Sequence, residues 1–270
     1  MTDRLTSRAN PLVRRARALG RDGAARREEG AFLAEGVRVI EEALAAGAPF
    51  ERVFHSPRLE STDRGRAILD HLRRDDAPLI GTTDAVLETL SAAETPQGIV
   101  GIVRADTLPA VSAQAAGGEL WAIAWGLQDP GNAGTILRTA HAAGAAAFFT
   151  VAGTADLTAP KAVRASAGSI FRLPFLQGLD PGALIERAAR SGVRLMGTAP
   201  HGGTSYDEAD YRGGVALVFG REGEGLPPAL TGLLQAEITI PLGGGVESLN
   251  VAAAAAVILF EAARQRRRSA

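Results

Sequence analysis

From Leu120 onward the chain alternates between short β-type runs and helical stretches, and this alternation restricts the fold more than any other feature. The β-type runs are LWAIAWG (120–126), AAFFTV (146–151), VRLMGT (193–198), VALVFG (215–220) and EITIP (237–241). Between them GTILRTAHAAG (134–144), PKAVRASAGS (160–169) and PGALIERAARSG (181–192) have helical spacing, and a long helix is expected from about 249 to the end. Strands joined through helices imply an α/β fold with a mainly parallel sheet covered on both faces. In such sheets ligands bind outside the carboxyl ends of the strands. Three of these ends carry glycine-rich loops with interspersed polar residues: GLQDPGNAGT, GREGEGLP and LGGGVESLN. Glycine lets backbone come close to a ligand where a Cβ would block it. Three such loops on one sheet edge point to a site.

A shorter α/β pattern precedes this one. FLAEG (32–36), FERVF (50–54) and GIVGIV (98–103) read as strands, and VRVIEEALAAG (37–47), DRGRAILDHLRR (63–74) and DAVLETL (84–90) as helices. Residues 106–118 have no period and are rich in alanine, proline and glycine, which predicts a linker between domains 1–105 and 119–270. The net charge of −1 conceals an uneven distribution. Residues 4–27 hold eight arginines against the single acid Asp22, and the tail adds Arg264, Arg266, Arg267 and Arg268. Guanidinium clusters suit a polyanion, because each can fork two phosphate oxygens. Charge alone leaves a merely solvated helix face as the alternative.

Several chemistries are excluded. The chain has no cysteine, hence no disulfide, thiolate metal site or cysteine nucleophile. No run of 18 apolar residues suggests a membrane span, and the arginine-rich start lacks the apolar core of a secretory signal, so a cytoplasmic location is expected. Lys161, the only lysine, is followed by alanine and forms no P-loop, and no G-x-G-x-x-G follows a strand. His55, His71, His141 and His201 lack metal spacing, so no metal is expected. Neither GTSYD nor ASAGS is a nucleophile elbow. What remains is a site of amides, a hydroxyl, an arginine and a glutamate. Asn132 is expected in a turn just before a helix, with Arg138 one turn into it. Glu222 lies among flexible glycines, as a catalytic carboxylate or a structural ion-pair partner. Ser248 and Asn250 open the last helix, where one of them can serve as a cap.

These residues carry a resemblance. DPGNAGTILRTAHAAG, LVFGREGEGLP and IPLGGGVESLNVAAAAAVILFEA are similar, in order and spacing, to the three signature motifs of the SpoU-type (TrmH-like) RNA 2′-O-ribose methyltransferases of the SPOUT superfamily. REEGAFLAEGVRVIEEAL and AAETPQGIVGIV resemble the small α/β, ribosomal-protein-like RNA-binding domain found ahead of many members.

The resemblance implies S-adenosylmethionine as methyl donor, a C-terminal trefoil knot, a homodimer and an RNA substrate. Carried over position by position, Asn132, Arg138, Glu222, Ser248 and Asn250 form the catalytic set. Thr198, Ala199, Gly220, Gly223, Ile240, Leu242, Ser248 and Leu249 fall at cofactor-contacting positions, and Arg14, Arg15, Arg17, Arg38, Arg138 and Arg164 are the candidates to bind RNA. The separate leading domain favours large-subunit ribosomal RNA. A tRNA ribose methyltransferase, or a non-catalytic ribosome- or RNA-binding protein of the same fold, are the alternatives. In the family an arginine has been considered a general base. A guanidinium stays protonated in proteins, so Arg138 is expected instead to clamp phosphate or steady the developing alkoxide.

Overall fold

The computed structural model describes residues 4–112 and 118–269, so residues 113–117 of the expected linker lie outside the described part. The chain forms two compact units, Met1–Leu108 with Thr158–Arg172, and Pro109–Leu157 with Leu173–Ala270.

The first unit is built on a mixed sheet of β1 (Ala31–Glu35), β2 (Phe50–His55), β3 (Leu79–Gly81) and β4 (Ile99–Arg104), in the order β1-β4-β2-β3. β4 runs antiparallel to both β1 and β2, and β3 runs parallel to β2. The helix Pro11–Arg21 starts where its local chemistry directs: Asn10 accepts from the Leu12 N–H and Pro11 takes the first position. Its apolar stripe Val13, Ala16 and Leu19 is wholly buried against Leu33, Phe54, Leu87 and Val100 of the core. Asp22, Thr62 and Thr83 cap the helices Gly23–Glu29, Asp63–Arg74 and Asp84–Leu90 in the same way.

The segment 158–172, expected inside the second domain, packs with this first unit instead. Its helix Pro160–Ser166 buries Ala162 and Val163, and Phe171 stacks on Phe32 of β1 with ring centroids 6.3 Å apart. The polar tie is Glu35 at the end of β1, only 5% exposed. Its carboxylate accepts from the Ala92 N–H (3.0 Å), the Ala93 N–H (3.2 Å), the Ser91 hydroxyl and the Arg164 guanidinium (3.0 Å). Buried carboxylates require this degree of satisfaction.

The second unit has a sheet of β5 (Leu120–Ala124), β6 (Ala147–Val151), β7 (Phe175–Leu179), β8 (Arg194–Thr198), β9 (Thr204–Ser205), β10 (Val215–Phe219) and β11 (Ala236–Thr239). The order is β7-β6-β5-β10-β8-β11-β9, and every pairing is parallel. β5, β6 and β10 are buried along their whole length, which is why they read as continuous apolar runs. β7 and β9 carried no such signal: both are edge strands, and β7 alternates between half-buried and exposed positions. The helix Val251–Ser269 packs on Pro130–Ala142 and β10 through Ala252, Ala255, Ile258, Leu259 and Ala262.

Candidate active site

The strand order puts the carboxyl ends of β5, β10, β8 and β11 side by side, so the loops that follow them share one rim. After β5, Asp129 accepts from the Gly131 N–H (2.9 Å) and Pro130 occupies the first helical position of Pro130–Ala142. Asn132 therefore stands in the first turn of this helix and not in a turn ahead of it. The Asp-Pro-Gly sequence that suggests a loop is in fact a capped helix start.

After β10, the Arg221 and Gly225 N–H groups exchange hydrogen bonds with each other's carbonyls (3.0 and 2.9 Å), closing a tight ring with Glu222 at its tip. A Cβ on Gly220 would lie 2.5 Å from the Gly225 carbonyl, so only glycine fits there. Arg221 anchors the ring, donating from Nε to the Gly126 carbonyl (3.1 Å) and from Nη1 to Glu224 (2.9 Å).

After β11, the chain passes Gly243, Gly244 and Gly245 before the last helix. A Cβ at any of these three would meet nothing within 4 Å, but Gly244 and Gly245 have φ of +68° and +74°. Two consecutive left-handed residues, rather than crowding within the chain, account for glycine here. Asn250 then caps the last helix, its Oδ1 accepting from the Ala252 and Ala253 N–H groups (3.0 and 3.3 Å).

The cap leaves the Asn250 amide nitrogen free, and it donates to Glu222 Oε1 (3.1 Å) and Asn132 Oδ1 (3.3 Å). Asn132 Nδ2 donates to the same Glu222 oxygen at 2.6 Å. Three residues separated by 90 and 28 positions thus form one hydrogen-bonded cluster, each from a different glycine-rich loop.

The cluster borders a cleft of about 330 Å³. All eight candidate cofactor positions line it: Thr198, Ala199, Gly220, Gly223, Ile240, Leu242, Ser248 and Leu249. Two of them are fixed by the sheet, with the Thr198 hydroxyl donating to the Val218 carbonyl (3.2 Å) and the Ala199 N–H to the Ile238 carbonyl (2.9 Å). The sequence reading missed Pro200, His201, Arg221, Gly225, Ile238 and Glu247, together with Val251, Ala254 and Ile258 of the last helix. The i, i+3, i+7 spacing of those last three was a legible signal of one helix face. The residues fit a flat nucleoside bearing a cationic sulfonium. Branched aliphatic walls suit the ring, Glu222 and Glu247 are the carboxylates on the lining, and its one guanidinium, Arg221, is tied to Glu224 and backbone.

Arg138 is not brought into this cluster. It follows Asn132 by six residues, about 120° round the helix and about 9 Å along it. It is exposed, does not line the cleft and has no hydrogen-bond or ion-pair partner among the described residues. The other candidate arginines divide sharply. Arg14 and Arg38 are exposed and unpartnered among the described residues. Arg17 donates to the Arg8 carbonyl (3.1 Å). Arg15 is held by Glu51 and Glu29, which raise its already high pKa, and Arg164 is held by Glu35.

A parallel α/β unit with this rim of loops defines the class, and comparison identifies it: residues 119–260 match the SpoU rRNA Methylase family, and the chain belongs to that family. Residues 10–101 match the MRM3-like substrate binding domain. Among relatives, the chain is 33% identical over 270 residues to the 23S rRNA (uridine(2479)-2′-O)-methyltransferase of Streptomyces viridochromogenes, covering 97% of this chain and 92% of that one. It is 35% identical to the 23S rRNA (guanosine(2553)-2′-O)-methyltransferase RlmP of Bacillus subtilis, covering 85% of this chain and 87% of that one. The crystal structure of an AdoMet-bound rRNA methyltransferase from Sinorhizobium meliloti superposes with a TM-score of 0.82 at 31% identity, covering 97% of both chains. A tRNA-modifying TrmH/SpoU enzyme of A. aeolicus covers 59% of this chain and 80% of its own, with a TM-score of 0.51 at 26% identity.

Proposed function

We propose that this protein transfers the methyl group of S-adenosylmethionine to a ribose 2′-hydroxyl of RNA, with large-subunit ribosomal RNA as substrate. The observation that carries the reading is the joining of Asn132, Glu222 and Asn250 at the mouth of a cleft lined by every candidate cofactor position. The ribosomal choice is supported by the full-length relatives, which act on 23S rRNA by name, whereas the tRNA-modifying neighbour leaves much of this chain uncovered.

The reaction requires in-line approach of the ribose oxygen, loss of its proton and stabilisation of the alkoxide, and S-adenosylmethionine supplies an electrophilic methyl group. Orientation alone can contribute about 7 kcal/mol or more. Glu222 organises the rim: one oxygen accepts both amides, which sets the three loops in register. Asn132 and Asn250 hold that register, and Ser248 faces the cofactor cleft. Arg138, exposed and unpartnered among the described residues, is available to clamp an RNA phosphate or steady the alkoxide, and the proton leaves late to phosphate or water. This route uses no metal.

A homodimer belongs to the same proposal. Ala253, Val257 and Phe260 form an exposed apolar stripe on the last helix, with Val257 and Phe260 38% and 47% exposed. The expected trefoil knot is supported by strand order, since β10 enters between β5 and β8 and β11 between β8 and β9. Among the described residues no helix is long and apolar enough to cross a membrane, and a ribosomal substrate implies work in the cytoplasm.

Calorimetry with S-adenosylmethionine and its demethylated product tests the cofactor, and ribose-methylation mapping of cellular RNA with and without the gene tests the substrate. Binding of both compounds and loss of one ribosomal methylation are expected. No heat with either compound would sink the proposal.

A further inference from the structure

We propose that the solvent face of the helix Pro11–Arg21, with the turn ahead of it, is a phosphate-tracking surface, on which Arg14, Arg17 and Arg21, and Arg8 in that turn, hold the RNA backbone while Arg15 and Arg26 only mount the helix. The inference deepens the RNA reading above and rests on it. The arginines of this region look alike in sequence, and their partners separate them. Arg15 is gripped by Glu29 and by both oxygens of Glu51, and Arg26, 8% exposed, donates to the Leu19 carbonyl at 2.8 Å. Both are spent on structure. Arg8, Arg14 and Arg21 are exposed, and their guanidinium groups have no hydrogen-bond or ion-pair partner among the described residues. Arg17 uses one nitrogen on the Arg8 carbonyl, which brings that residue's backbone to the same helix and leaves most of its five donors open.

Helical geometry aligns these groups. Arg14 and Arg21 are seven residues apart, within about 20° of one face and about 10 Å along the axis, and Arg17 lies between them. Arg14 and Arg21 point about 150° away from the centre of the wholly buried stripe Val13, Ala16 and Leu19, and the half-buried Arg17 stands at its border. The row carries no competing acid: the only carboxylate in residues 8–27 is Asp22, which accepts from the Ala24 N–H as a helix cap. A cationic row that finds no acid of its own stays open to an external anion. The helix is fixed by its core stripe and by the Arg15 clamp, so the row is presented in advance and costs little ordering on binding. Val13, Ala16 and Leu19 are consumed by the core, and Leu12, 36% exposed, is the one large apolar side chain the helix leaves at its surface, too little to anchor in a bilayer, which favours a nucleic-acid backbone over a lipid surface. Guanidinium contacts to phosphate carry no sequence information, so the row's contribution is affinity and register rather than sequence choice.

The test uses the full chain and in-vitro-transcribed large-subunit ribosomal RNA, with binding measured across a salt series. Arg14→Gln/Arg21→Gln should weaken binding about tenfold at moderate salt and lower the log–log salt slope by about 1.5, as for two lost phosphate contacts. Arg14→Lys/Arg21→Lys should restore the slope. Arg74→Gln/Arg190→Gln, which removes the same charge at other exposed arginines, should leave it unchanged. An unchanged slope in the first variant, or an equal drop in the charge-matched control, overturns the proposal. Loss of binding to phosphatidylserine vesicles in step with RNA would overturn it in favour of a membrane surface. Cofactor calorimetry should be the same for all variants. Methyl transfer by the wild-type chain at saturating RNA reads the proposed activity separately: its absence counts against that activity while the salt slopes still judge the arginine row.

Discussion

Two glutamates organise the two units, and they do so with opposite consequences. Glu35 is buried and accepts from two backbone N–H groups, a hydroxyl and a guanidinium, all belonging to one packed unit. Glu222 is exposed and accepts from two side-chain amides, one at the start of the helix Pro130–Ala142 and one at the cap of the last helix. The same acceptor chemistry is structural where water is excluded and every donor is fixed. At Glu222 the donors border glycine-rich loops at the mouth of a cleft, and there we propose that it serves the reaction. Exposure, more than hydrogen-bond count, separates the two settings.

Glu35→Ala should be the most damaging change to stability, about 3 to 4 kcal/mol, because it strands the Arg164 guanidinium and two backbone donors. Thermal unfolding should show the loss, while affinity for S-adenosylmethionine in material folded at low temperature stays at the wild-type value. A Glu35 variant that unfolds normally would break the comparison. Glu222→Ala should do the reverse. Its unfolding free energy should change by about 1 kcal/mol or less, and single-turnover methyl transfer should fall by about two orders of magnitude, on the order of 3 kcal/mol. Wild-type turnover in this variant would reduce Glu222 to a surface residue.

Two glycines sharpen the same contrast inside the second unit. Gly220→Ala forces a Cβ to 2.5 Å from the Gly225 carbonyl, so it should cost about 2 kcal/mol and weaken cofactor binding by opening the ring that carries Glu222. Gly243→Ala meets nothing within 4 Å and has no left-handed φ, so both properties should be preserved. Equal effects from the two would mean that the rim tolerates or rejects side chains indiscriminately.

The smallest effect is a pH dependence confined to the first unit. Burial lowers the pKa of His55 below its usual 6.5, outweighing the nearby Glu60 that pulls it up, with Arg73 and Arg4 adding to the depression. The folded state therefore resists protonation, and the unfolded chain binds the extra proton. Stability from this group is fully present above about 6.5 and is lost as pH falls below it. Urea unfolding from pH 7 to 5 should show a slope that His55→Gln flattens. Persistence of the whole slope in the variant would assign it to other groups.

Much of the site was legible because its motifs are short and chemically unusual. Asn132, Glu222 and Asn250 stood out as polar residues among glycines at strand ends, and they meet. The cleft positions were legible only through family resemblance, since Ile240, Leu242 and Leu249 have no chemistry that separates them from core residues. Some local signals were misread. Asp129-Pro130 begins a helix where a turn was expected, because an N-cap and a first-turn proline use the same residues as a loop. The edge strands β3, β7 and β9 are too short or too exposed to mark themselves by burial.

By itself the sequence determined the alternation of strands and helices, the parallel character of the second sheet and the identity of the polar residues at its carboxyl edge. These follow from side-chain period and backbone propensity, which act over a few residues. Tertiary structure alone decided which strands are neighbours, and so which loops face one another. It also decided that segment 158–172 packs on β1 and that Arg15 and Arg164 are taken up by carboxylates while Arg14, Arg21 and Arg138 are left open. A guanidinium's availability depends on whether an acid distant in sequence is folded against it, as Glu51 is against Arg15 and Glu35 against Arg164, and no local pattern encodes that distance.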